Sequence, residues 1–184
     1  MLYLRLFSEG RGLLQVYRRI HTKRPSVSTL PDLFDKLDAV LETRNEGRTW
    51  FLKEYSVVRR FSGIGNNYRC LEYASRLASI ILKNPLHHDE GSPLFEILEH
   101  ALDAWDKGLH PGIVYLKTLY LHARNEGFPV REDWLKHLPL RRRDKAVAII
   151  HLPLVRQAVT DAADAEKLIQ SLERWLQGYH DLHL

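Results

Sequence analysis

Along the first third of the chain, apolar residues recur at every second position. Leu2, Leu4 and Leu6 alternate with Tyr3, Arg5 and Phe7, the period of a half-buried strand. Ser8-Glu9-Gly10-Arg11-Gly12 reads as a turn. Leu13–Ile20 predicts a second strand with Leu14, Val16 and Arg18 on one face. Lys23-Arg24-Pro25-Ser26-Val27-Ser28 has loop chemistry, because Pro25 disfavours helix at Arg24. From Leu33 to Leu41 the alternation returns, with Leu33, Leu37, Ala39 and Leu41 opposed to Phe34, Lys36, Asp38 and Val40. Asn45-Glu46-Gly47-Arg48 turns the chain, and the aromatic, β-branched run Thr49–Val58 predicts a fourth strand. Four strands on short connections predict a small antiparallel sheet or barrel.

At Phe61-Ser62-Gly63-Ile64-Gly65-Asn66 the period becomes helical, and Gly63-Ile64-Gly65 reads as an interdomain hinge. Residues 66–84 predict an amphipathic helix stopped before Pro85. Ser92 as N-cap and Pro93 as first helical residue start another; Leu94, Ile97, Leu98, Ala101, Leu102 and Trp105 share one face, and Gly108 ends it. Pro111 opens a helix closed by Gly127. Residues 131–158 predict shorter helices broken by Pro139 and Pro153. A long last helix carries Leu168, Ile169, Leu172, Trp175, Leu176 and Tyr179 on one face, with Asp164 as its N-cap. The fold class is therefore α+β: a basic β-domain over 1–60, then an α-helical domain over 61–184.

Charge sharpens this division. Of a net +4 on 184 residues, +5 falls within residues 1–24 and −1 on the rest. An apolar fraction of 45% suits a packed core and argues against disorder. The single cysteine, Cys70, excludes an internal disulfide and a multi-cysteine zinc site, and reads as helix core. The most apolar stretches, Leu77–Leu82 and Ala146–Ile150, fall short of a membrane span. Arg5 and Glu9 interrupt any secretory apolar region, and Gly10 and Gly12 weaken the amphipathic helix of an organelle presequence.

The densest chemistry is Arg18-Arg19-Ile20-His21-Thr22-Lys23-Arg24, interleaved with Tyr3, Tyr17 and Phe7. Cations neutralise phosphates, and aromatic faces stack on exposed bases. Arg141-Arg142-Arg143-Asp144-Lys145 alone reads as a solvated helix start, while Arg59-Arg60 would extend the basic track. His87-His88-Asp89-Glu90 reads as a polar loop, because adjacent residues rarely aim at one ion. Gly63-Ile64-Gly65 lacks the third glycine of a dinucleotide loop, and neither a phosphate loop nor a nucleophile elbow occurs. No acid–base pair stands out, so no enzyme, cofactor or metal is expected.

The order of these parts resembles the bacterial DNA repair and recombination mediator family RecO. Leu6-Phe7-Ser8-Glu9-Gly10-Arg11-Gly12 is similar to that family's strand–turn, and Tyr17-Arg18-Arg19 through Lys23-Arg24-Pro25-Ser26 to its basic run. The segment Leu52–Phe61 resembles its passage into the helical part. Pro93–Leu98, Gly108-Leu109-His110-Pro111 and Leu172–His180 resemble a bundle helix, the turn after one, and the closing helix. The likeness spans nearly the whole chain through degenerate motifs whose order carries it. It departs twice: relatives with a zinc site need more cysteines than Cys70, and the family's OB-like barrel has a strand before the one at Leu2–Phe7.

The resemblance implies an OB-like β-barrel short of its first strand, followed by a helical bundle. It implies a non-enzymatic protein that binds single- and double-stranded DNA and anneals complementary strands. Such a protein assists loading of the recombinase RecA on DNA coated by single-strand-binding protein. RecR and the acidic tail of the single-strand-binding protein would be its partners, in a cytoplasmic, nucleoid-associated setting. Arg5, Arg11, Arg18, Arg19, Lys23, Arg24 and Arg59 are the expected DNA contacts. Arg69 and Arg76, at i, i+7 on one helix, are the expected cations for the acidic tail. An RNA-binding OB module and a non-catalytic helical adaptor are the alternatives.

Overall fold

Alternation of leucines with polar and aromatic residues builds the first two strands, β1 (Leu2–Ser8) and β2 (Gly12–Arg18), which pair antiparallel across the predicted turn. The computed structural model describes residues 1–19, 30–43, 45, 47–84, 93–156 and 162–178. Strands β3 (Lys36–Thr43) and β4 (Trp50–Arg59) form a second antiparallel pair, and β2 joins β4 in parallel through Val16 opposite Trp50 and Tyr17 opposite Phe51. The order is β1-β2-β4-β3, so the described strands make one open sheet with β1 and β3 at its edges, where a barrel was one expectation.

Leu14, Val16 and Leu52 are buried on one face of this sheet, with Leu4, Leu6, Ala39, Leu41, Trp50 and Tyr55 packed around them. Leu52 and Tyr55 share that face although three positions apart. The register explains this: Leu41 opposes Leu52 and Val40 opposes Glu54, so Lys53 is the extra residue of a bulge. The third strand begins later than its alternation predicts. Asp32 and Asp35 carboxylates accept from nearby backbone N–H groups, and Phe34 takes φ +67°, so Leu33 and Phe34 form a turn before Lys36.

The described residues of Met1–Phe61 form one compact unit and those from Ser62 on a second. The second is helical: α1 (Ser62–Gly65), α2 (Tyr68–Lys83), α3 (Leu94–Asp106), α4 (Pro111–Asn125), a π-helical turn (Val130–Leu135), α5 (Leu140–His151), a 3-10 turn (Leu154–Arg156) and α6 (Ala162–Gln177). Among these helices none is long and apolar enough to cross a membrane. α4 is the central helix, buried from Gly112 to Leu116 and packed against α2, α3 and α6. Trp105, Tyr73, Leu168 and Leu172 close the core around it.

Several helix boundaries differ from expectation for local reasons. Asn67 caps α2, its side-chain oxygen accepting from the N–H groups of Arg69 (3.0 Å) and Cys70 (3.4 Å), so the helix starts at Tyr68. Pro93 occupies the cap position of α3 rather than its first turn, and Ser92, Pro85 and Tyr179 lie outside the described residues. Asp164 is inside the first turn of α6, 3.5 Å from Lys145, not its cap. Gly63-Ile64-Gly65 is a helical turn rather than a hinge: the Gly63 N–H donates to Asp106 Oδ1 (2.8 Å), and Ile64 is buried. Gly108 ends α3 at φ +74°, a conformation side chains rarely adopt. Lys117 donates to the carbonyls of Ile149, Ile150 and Leu152 (3.2, 2.8 and 2.5 Å), closing the end of α5, and burial lowers its pKa.

Candidate nucleic-acid interface

Because β-strand side chains alternate, the leucines that fill the core of the first unit leave Tyr3, Arg5, Gln15 and Tyr17 on the opposite face. Register sets Tyr3 opposite Tyr17, and the parallel β2–β4 pairing sets Tyr17 opposite Phe51. The three rings form a row across neighbouring strands, with centroids 5.2 Å apart for Tyr3–Tyr17 and 6.3 Å for Tyr17–Phe51. Tyr3 is exposed, and Tyr17 and Phe51 are half-buried. Arg5 flanks the row, its guanidinium 5.9 Å from the Tyr3 centroid and Nε donating to the Tyr3 hydroxyl (3.3 Å). The other half of this face carries Asp38, Val40 and Glu54, with Glu42 paired to Lys53. One face is thus divided: aromatic over β1, β2 and the start of β4, with Arg5 beside the row, and acidic at Asp38 and Glu54 of β3–β4.

The expected DNA contacts do not all meet there. Arg5 does. Arg18, next to the exposed Arg19, lies on the opposite face with Leu14 and Val16, its guanidinium 4.4 Å from the Tyr55 centroid. Arg18 is the last residue of β2, and Arg19 follows it outside the strand. Arg11 stacks over Trp50 (5.2 Å) and Arg59 over Phe61 (4.6 Å). Arg60 does not extend a free track, since it pairs with Asp35 (3.6 Å) and donates to the Leu30 carbonyl. Lys23 and Arg24 lie outside the described residues. Sequence reasoning missed Phe51 as part of the row. Its only signal was an aromatic at the start of the fourth strand, and the strand pairing that gives it meaning is remote in sequence.

In the helical unit, Arg76 already holds a carboxylate. Its Nη2 donates to both oxygens of Glu173 (2.6 and 2.7 Å), and its guanidinium lies over the Tyr73 and Tyr115 rings. The carboxylate beside Arg76 is thus supplied by α6 of the same chain. Arg69 is more exposed and sits 3.5 Å from Glu166 and 3.8 Å from Glu72. Arg69, Tyr73, His110, Gly112 and Glu166 line a shallow cavity of about 250 Å³. The Tyr73 hydroxyl donates to Glu166 (2.6 Å) and the Tyr115 hydroxyl to Glu173 (2.9 Å). Burial first, then the adjoining carboxylate, pushes both phenols well above the usual tyrosine range.

The second basic run falls in the first turns of α5, where Arg141 and Arg142 are exposed and Lys145 pairs with Asp164. Cys70 is fully buried, with its thiol pKa raised by burial. Among the described residues, no group of three or more histidine, cysteine or acidic side chains is placed to hold a metal; His87–Glu90 lie outside them. Comparison with known proteins finds no family model that matches the chain and no similar curated protein.

Proposed function

We propose that the chain is a DNA-binding recombination and repair mediator of RecO type, which holds single strands on the outer face of its sheet and anneals complementary ones. The observation that carries this reading is the ring row Tyr3–Tyr17–Phe51 flanked by Arg5. Successive bases of an unpaired strand stack on such rings at about 1–3 kcal/mol each, whatever their sequence, while a cation follows the backbone. The acidic part of the same face, Asp38 and Glu54, repels phosphate and keeps the path on β1, β2 and the Phe51 end of β4.

Strand order supports the finer fold reading. The order β1-β2-β4-β3 with a parallel β2–β4 pair is that of a five-stranded OB barrel with its first strand left out. In that alignment β1 and β2 correspond to the strands whose face takes oligonucleotides in OB folds. The helices from Ser62 on follow the strands in chain order, as a RecO-type bundle would. Arg69 is then the cation for the acidic tail of the single-strand-binding protein, with RecR a direct and RecA an indirect partner.

Fluorescence anisotropy with a labelled oligothymidylate, its duplex and an RNA of equal length tests the reading. Tyr17→Ala and Phe51→Ala should each weaken single-strand binding by roughly 5- to 100-fold, as loss of one stacked base implies. Wild-type affinity in both variants removes the platform. Preference for RNA over DNA favours the RNA-binding module, and no binding of any nucleic acid at modest salt favours the helical adaptor. Strand annealing with and without the cognate single-strand-binding protein then tests the mediator role, which requires activity that depends on that protein's tail.

A further inference from the structure

Arg69 and Arg76 stand two turns apart on α2, and each has a glutamate of α6 beside it. Only one of the two pairs is closed. Arg76 donates to both oxygens of Glu173 at 2.6 and 2.7 Å, as a charge-assisted bond does. Arg69 reaches Glu166 only at 3.5 Å and Glu72 at 3.8 Å, and it uses one nitrogen, Nη1, for both. Tyr73 makes the difference. Its hydroxyl donates to Glu166 Oε1 at 2.6 Å, and Oε1 is the same oxygen that faces Arg69. Tyr73 is buried and stacked on Tyr115, so it cannot follow Glu166 outward. Gly112 of α4 backs the pair: a Cβ there would stand 3.5 Å from the Tyr73 hydroxyl and 3.7 Å from Glu166 Oε1. A half-buried carboxylate is thus tied to a fixed phenol and held short of an exposed guanidinium.

We infer that Glu166 competes with the carboxylates of the acidic partner for Arg69, and that Tyr73 sets the strength of that competition by holding Glu166 back. The inference rests on the reading of Arg69 proposed above and adds the regulation of that site. A ligand carboxylate bonded to Arg69 comes close to the Glu166 carboxylate, and like charges at short range repel. The bond from Tyr73 draws on the Glu166 charge and fixes its position, so the guanidinium stays open to an outside acid. Without that hydroxyl, Glu166 closes on Arg69 as Glu173 closes on Arg76, and the chain blocks its own site. Two side chains that touch each other therefore act on the ligand with opposite signs.

The test is fluorescence anisotropy of the intact chain with a labelled acidic, phenylalanine-terminated peptide, at low salt because exposed ion pairs are screened. Glu166→Gln should bind roughly 2- to 5-fold tighter, the range set by one exposed ion pair. Tyr73→Phe should bind about 2-fold weaker or more. Tyr73→Phe made in Glu166→Gln should bind as Glu166→Gln alone, because the hydroxyl acts only through that carboxylate. Arg69→Gln should lose roughly tenfold or more. Loss in Arg69→Gln with Glu166→Gln no tighter than wild type, or with Tyr73→Phe weakening both backgrounds equally, overturns the inference and leaves Arg69 as the cation for the tail. Arg69→Gln equal to wild type, or no binding by any form of the chain, removes Arg69 from the tail and the competition with it. Should Tyr73→Phe fail to fold, Glu166→Gln decides alone: tighter binding upholds the competition, and any other result overturns it.

Discussion

Arg76 and Glu173 stand 97 residues apart, yet they join α2 to α6 through two short hydrogen bonds, with Tyr115 of α4 donating to the same carboxylate. The paired phenols give this cluster a measurable signature. Tyr73 and Tyr115 are stacked at 4.7 Å, desolvated, and bonded to Glu166 and Glu173, so their folded-state pKa values are raised. The folded chain then holds these protons more tightly than the unfolded one. Their contribution is complete below about pH 10 and is lost as pH rises through the folded values. Tyrosinate absorbance should therefore show these two phenols ionising only as the helical unit unfolds. Ionisation of every tyrosine near pH 10 with circular dichroism unchanged would refute this. At this scale the sequence reveals residue types but not partners. Arg69 and Arg76 at i, i+7 read as a pair awaiting an acid, because nothing in α2 reveals that α6 brings Glu173 to one of them.

The elements were legible where the pattern was local. β1 and β2 follow their alternation, α4 starts at Pro111 as expected, and α6 follows its apolar stripe. Legibility failed where a side chain overrode the pattern. Asp32 and Asp35 bond the backbone and draw Leu33 and Phe34 out of an otherwise continuous alternation. Gly63 reads in the sequence as part of an interdomain hinge, whereas its role is close approach: a Cβ there would stand 2.4 Å from the Asp106 carbonyl oxygen. Gly63→Ala must push α1 away from the end of α3, at a cost of about 1–3 kcal/mol. Urea denaturation should show a lower midpoint with an unchanged slope, and Gly65→Ala, where a Cβ meets nothing within 4 Å, should be close to wild type. Equal stability of the two variants would exclude that close contact.

For the molecule as a whole, the uneven charge was visible in the sequence but its distribution over two faces was not, because it depends on register. Arg5 lies beside the ring row and Arg18 on the opposite face over Tyr55. The salt dependence of single-strand binding separates them. Arg5→Gln should flatten the log–log slope by about 0.7, one phosphate contact, while Arg18→Gln leaves it unchanged. The reverse result would move the binding path to the core-side face. The parallel joining of β2 to β4 has a kinetic consequence. The β1–β2 hairpin and the β3–β4 pair can each form from neighbours in sequence, but lone two-stranded ribbons are marginal in water. The Val16–Trp50 and Tyr17–Phe51 contacts close a loop that contains all of β3, and its closure entropy is met before the core gains anything. During synthesis the sheet must therefore wait for β4, and until Trp50 and Leu52 arrive the leucines of the first hairpin remain open to the wrong partners.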